Sequence, residues 1–154
     1  MTRLSAAWNR LLALVGRYSM YRFVMLALAA LAAIAFVLSL FDQVTPGPLD
    51  LFVTLAVLVA SCLVVDLAGQ RITQRAWRYE SSLITALILL FVLYPVGSGL
   101  GLVGIAVAGA LASASKYIIA WRGRHILNPA AAGATALSII TVLSGAYSLG
   151  AAGW

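Results

Sequence analysis

Charge is scarce in this chain, and cysteine scarcer still. Of 154 residues only 9% are Asp, Glu, Lys or Arg, where a soluble domain carries about a quarter. The hydrophobic set reaches 64%, and a single soluble core of this size has no room for so much apolar side chain. The solvent is therefore lipid. The lone cysteine, Cys62, excludes a disulfide framework, a cysteine-ligated zinc site and an iron–sulfur cluster held within the chain. The lone histidine, His125, has no Asp near it in sequence, and neither a hydrolytic site nor a metal-ligand pair stands out. Ten basic residues face four acidic ones, a net charge of +6. They gather in three short clusters between apolar runs, a pattern that sets membrane orientation rather than binding nucleic acid.

What is there in abundance is long apolar sequence. Five segments are read as spanning helices: Tyr21–Phe41, Leu49–Ala68, Ser81–Tyr94, Leu100–Trp121 and Pro129–Leu149. Each lies near the roughly 20 residues that cross a bilayer core, the third being the shortest. The expected class is an all-α polytopic membrane helix bundle of about five transmembrane helices, because barrel strands alternate over about ten residues and these runs do not. Pro46-Gly47-Pro48 and Pro95-Val96-Gly97-Ser98-Gly99 break the chain between spans, and Asn128-Pro129 reads as an N-cap and first helical residue. All the Lys and Arg residues fall before or at the start of span one, between spans two and three, or from the end of span four to the start of span five, and the opposite loops carry Asp42 and Asp50. The positive-inside rule then puts the N-terminus in the cytoplasm and the C-terminus outside. Residues 1–20 read as a basic cytoplasmic segment, either an amphipathic surface helix or a loose tail, ahead of the transmembrane domain 21–154. A multi-pass protein of a bacterial cytoplasmic (inner) membrane is the expected setting.

In lipid, a polar side chain at depth needs a reason. Asp66 reads as a snorkelling carboxylate paired with an inner-face arginine such as Arg71. A relay of protons or cations would need a second acidic residue at depth, and none is present. Glu80 reads as a loop charge. Ser81, Ser82 and Thr85 open span three, and their commonest use is to bond their own backbone or a neighbouring helix. The small residues of span four and its lead-in, with Gly97/Gly101 and Gly109/Ser113 each four apart, suit close helix packing. Thr135, Ser138, Thr141 and Ser144 recur every three residues along span five and are expected to bond between helices.

The densest polar cluster is the loop from Lys116 to Ala130. It holds Lys116, Arg122 and Arg124, the flexible Gly123, His125, and Asn128 at a helix start. Cations and free helix N–H groups suit an acceptor-rich planar molecule or an anionic head group. Simple anchoring of orientation explains the arginines equally well but not the Gly–His–Asn–Pro arrangement.

Two stretches together resemble one family, that of the D subunit of the Rnf electron-transport complex and the B subunit of the sodium-pumping NADH:quinone reductase. They are Ser81-Ser82-Leu83-Ile84-Thr85-Ala86-Leu87-Ile88, ending in Tyr94-Pro95, and Lys116 followed by Gly123-Arg124-His125-Ile126-Leu127-Asn128-Pro129-Ala130. The likeness covers about Ser81–Gly133 and corresponds to the N-terminal half of such subunits. It implies an electron-transfer subunit with a non-covalent flavin, riboflavin or FMN, close to Thr85, Lys116 and Asn128. Ser81, Gly123, Arg124 and His125 complete the expected binding set at the inner ends of spans three to five. Arg124 and His125 replace residues commonly Gln and Asn in the family. Gly133-Ala134-Thr135 lacks the preceding Ser of the covalent flavin motif, so no covalent flavin is expected. The missing second half implies other membrane subunits, another chain supplying that half, or self-association. Two other readings stand beside this one: a small channel or transporter half working as an oligomer, and an anchoring subunit without a ligand.

Overall fold

With no water to satisfy it, a backbone in lipid must bond to itself, and this chain does so with helices. The computed structural model describes residues 19–74, 79–97, 99–121, 124–125 and 127–145. Among these residues the chain is an all-α bundle of five helices, interrupted by one two-residue antiparallel pairing. The expected N-terminal surface segment, up to residue 18, lies outside the described residues.

Helix α1 spans Met20–Leu40, started by Ser19, whose side chain accepts the Arg22 N–H. Helix α2, Pro48–Ile72, begins at a proline and carries Asp50 in its first turn, where the helix dipole favours a carboxylate. It continues four residues past the expected Ala68, because one Gly costs a helix only about 1 kcal/mol and Gln70 still faces the bundle. Helix α3 is Tyr79–Val92. It stops two residues before the expected Tyr94, since Pro95 holds its predecessor out of the helical region. Helix α4, Leu100–Ile118, ends before the expected Trp121. There the backbone turns extended, and β1 (Ala120–Trp121) pairs with β2 (Arg124–His125), Ala120 opposite His125. Helix α5, Pro129–Ser144, starts at the Asn128 cap and closes on Gly145 in the left-handed conformation (φ 65°), not at Leu149.

Helix α4 is the centre of the bundle, with α2 on one side and α5 on the other, while α3 packs on α2 and α1 packs mainly on α3. Helices α2 and α4 run in the same direction. Their successive contacts are Thr54 with Val96, Cys62 with Gly109, and Asp66 with Lys116. Glycines make this closeness possible, as expected of the small residues. Gly109 lies against Ser61 and Cys62, and a Cβ on Gly133 would stand 2.5 Å from the Ala108 carbonyl oxygen and 2.6 Å from Ala112 Cβ. The apolar centre between the helices includes Leu58, Leu89 and Ile105, all without exposure.

Helices α1, α2 and α4 are each long and apolar enough to cross a membrane, and α3 and α5 are shorter apolar helices. By these measures the chain is a membrane protein. The hydroxyls of α5 do not behave as expected. Ser138, Thr141 and Ser144 donate to Ala134, Leu137 and Ile140, each four residues back on the same helix, at 2.6–3.0 Å. A hydroxyl in lipid takes the nearest carbonyl, and that belongs to its own preceding turn.

Candidate functional site at the basic end

One end of the bundle gathers the end of α2, the start of α3, the end of α4 and the start of α5. We call it the basic end, after Arg71 and Lys116 in the last turns of α2 and α4. Its centre is a buried ion pair. Asp66, 1% exposed, and Lys116, 6% exposed, meet with Lys116 Nζ 2.7 Å from Asp66 Oδ2. The Ser82 hydroxyl donates to the same oxygen. Lys116 also approaches the Ser81 carbonyl at 3.4 Å, and the Tyr117 hydroxyl donates to the Asp66 carbonyl at 3.1 Å. The Tyr117 ring lies over Gly69, so close that a Cβ there would stand 2.5 Å from it.

The partner of Asp66 is thus Lys116 and not an arginine of the inner loop. Asp66 shares the face of Leu58, Cys62 and Gln70, the buried residues four apart on α2. Arg71, five residues on, points about 140° away around the helix. Nor is Asp66 a snorkelling side chain. It faces the core, where only a cation on a neighbouring helix can reach it. Glu80 is also no loop charge. It sits in the first turn of α3 and pairs with Arg22 of α1 at 3.4 Å.

Two buried polar atoms have no partner among the described residues: Asp66 Oδ1 and Ser113 Oγ. Ser113 is one turn before Lys116 on the α4 face that meets α2, next to Cys62. Burying such atoms unpaired costs about 1–3 kcal/mol each. The cluster is therefore tightly built in one half, on Oδ2, and open in the other.

The expected binding residues divide in the same way. Ser81, Thr85 and Lys116 come together: the Thr85 hydroxyl donates to the Ser81 carbonyl at 2.8 Å, on the turn that also receives Lys116. Asn128 is exposed at the start of α5, its Oδ1 accepting the Ala130 N–H at 3.1 Å. That bond leaves the Asn128 Nδ2 donors without a partner among the described residues. Gly123 lies outside the described residues, as do the side chains of Arg124 and His125, whose backbone forms β2. Asp66 and Ser82 were missing from the expected set. The signal for Asp66 was the one acidic residue on an otherwise uncharged helix face. Ser82 had no signal beyond its place beside Ser81. No group of three or more His, Cys, Asp or Glu residues able to hold a metal exists among the described residues. No family model, curated protein or solved structure matches this chain.

Proposed function

We propose that the chain is a membrane electron-transfer subunit that holds a non-covalent flavin, riboflavin or FMN, at the basic end of α3, α4 and α5, with that end facing the cytoplasm. The observation that carries the reading is the meeting of Lys116 with the Ser81–Thr85 turn, 35 residues away in sequence. These are the two stretches whose joint likeness implies a flavin site. The residues present fit such a group chemically. The ring system is rich in acceptors, and this end offers an ammonium, free amide donors on Asn128 and the N-terminus of α5, with no carboxylate but Asp66 and Glu80.

When bound, the flavin supplies the redox chemistry. The chain binds the group, orients it and sets the charge around it. Asn128 does two jobs with two atoms: Oδ1 caps α5, and Nδ2 donates outward. Lys116 supplies positive charge that favours an electron-rich ring, and the apolar body of α2–α5 keeps water from the core beside it. The remaining subunits of an ion-coupled redox complex, or a second copy, would carry electrons onward.

The two jobs of Asn128 can be separated. Asn128→Asp keeps a capping oxygen but removes the outward N–H donors and adds negative charge. We expect unchanged thermal stability and at least about a tenfold weaker flavin affinity, which is a loss of about 1.4 kcal/mol, read by fluorescence titration with riboflavin and FMN. Detergent-solubilised protein that stays colourless and shows no thermal shift with either flavin would overturn the proposal. Solute flux through proteoliposomes containing that colourless protein would point to the transporter reading instead.

A further inference from the structure

Lys116 is asked for twice. The flavin reading needs its charge at the mouth of the site, yet the structure commits it to Asp66. We infer that Lys116 is a shared cation and that Asp66 takes up a proton when Lys116 turns to the electron-rich flavin, so that reduction and proton binding occur together. This rests on the flavin reading and goes beyond it.

As built, the pair is neutral overall and nearly dry. Negative charge arriving at the basic end attracts the nearest buried cation, and Lys116 already has a second contact, the Ser81 carbonyl on the side of α3. If the ammonium leans that way, Asp66 loses its counter-ion while still 1% exposed. A lone buried carboxylate is costly by several kcal/mol, and such groups neutralise instead.

Among the described residues Asp66 has no other cation beside it. From α4 it meets Lys116 and the Tyr117 hydroxyl, and from α3 Ser82. Glu80 is already paired with Arg22 of α1. On α2 itself, Cys62 lies one turn before, Gln70 one turn after, and Arg71 on another face. A place for the proton exists, because Oδ1 is buried and has no partner, while Ser82 can remain on Oδ2.

The step balances. A bound flavin would take its electrons from an external reductant, and the steps within the chain are the two that follow. The proton passes from water at the basic end to Asp66, carboxylate plus hydronium giving carboxylic acid plus water. Lys116 keeps its charge throughout and changes only its partner. No bond other than the O–H forms or breaks.

The test is reduced-minus-oxidised infrared spectroscopy of the full chain loaded with FMN in detergent, with dithionite as reductant. The protein carries 13C-labelled aspartate. We expect a protonated-carboxyl stretch to appear on reduction and to shift with the label and in deuterium oxide. Asp66→Asn should abolish it. In Lys116→Met the acid should already be present before reduction, so the difference band should vanish while the absolute band persists. The labelled wild type keeps the test decisive even if neither variant folds. Bleaching of the flavin with no label-sensitive acid band would overturn this inference alone. A preparation that takes up no flavin would overturn the binding proposal and this inference together.

Discussion

The two ends of the bundle solve one problem in different ways. Opposite the basic end, neutral side chains hold backbone groups. Thr54 receives the Val96 N–H and donates to the Val96 carbonyl, both at 2.9 Å, and Ser39 donates to the Pro46 carbonyl at 2.5 Å. Asp50 rests against Gly97. Each of these bonds satisfies loop backbone that lipid cannot solvate. At the basic end the bundle is joined by full charges, with one carboxylate oxygen and one serine left open. Neutral pins satisfy the backbone with little left over. A charged pair is a poor device for stability, since its desolvation offsets much of its attraction. The proposed function would account for the use of the second device at that one end.

The sharpest way to break this contrast is Lys116→Met. It should cost about 3–5 kcal/mol, because it takes the partner from the buried Asp66 and forces that carboxylate to take up a proton. Thermal unfolding in detergent measures it. The double variant Asp66→Leu, Lys116→Met should recover most of that loss while abolishing flavin-linked proton uptake. Recovery of both properties would show that the ends do not differ in purpose. At the neutral end, Thr54→Val should cost about 1–3 kcal/mol by leaving the Val96 N–H unpaired, with no change in flavin affinity. Thr54→Ser keeps both bonds and should lose less. Between the ends, Gly133→Val should cost about 1–3 kcal/mol by overpacking against α4, and it should broaden the melting transition rather than alter any spectrum. The smallest effect belongs to Arg22→Ala. Its exposed pair with Glu80 is worth about 0–1 kcal/mol, and raising the salt concentration should remove what difference there is.

Much of the architecture was legible because lipid restricts the choices. Runs of apolar residues, prolines at Pro48 and Pro95, and the Asn128-Pro129 start locate helices with little ambiguity. Their far ends were harder. Helix α2 runs on past the expected Ala68, with Gly69 as a flat seat for Tyr117, while Gly145 ends α5 although apolar residues follow it. The site was legible only as separate pieces. Ser81–Thr85 and Lys116 stand out on the chain, but for Asp66, the residue that joins them, the sequence points to an arginine of the inner loop. Proximity along one helix favoured Arg71. Fifty residues separate Asp66 from its real counterpart, and only the side-by-side course of α2 and α4 closes that gap. Local periodicity shows which face a residue occupies. It does not show what stands across from it.

That parallel course has a consequence for biosynthesis. Two helices pointing the same way cannot be neighbours in a single hairpin, so α3 must be inserted between them before the pair can meet. Asp66 therefore leaves the ribosome fifty residues ahead of Lys116, a delay of roughly 3–10 s at ordinary rates of synthesis. For that interval the acid has no amine to answer it. One acid costs a spanning helix about 2.5–3.5 kcal/mol, a burden that α2 is apolar enough to carry alone until the fourth helix arrives to lift it.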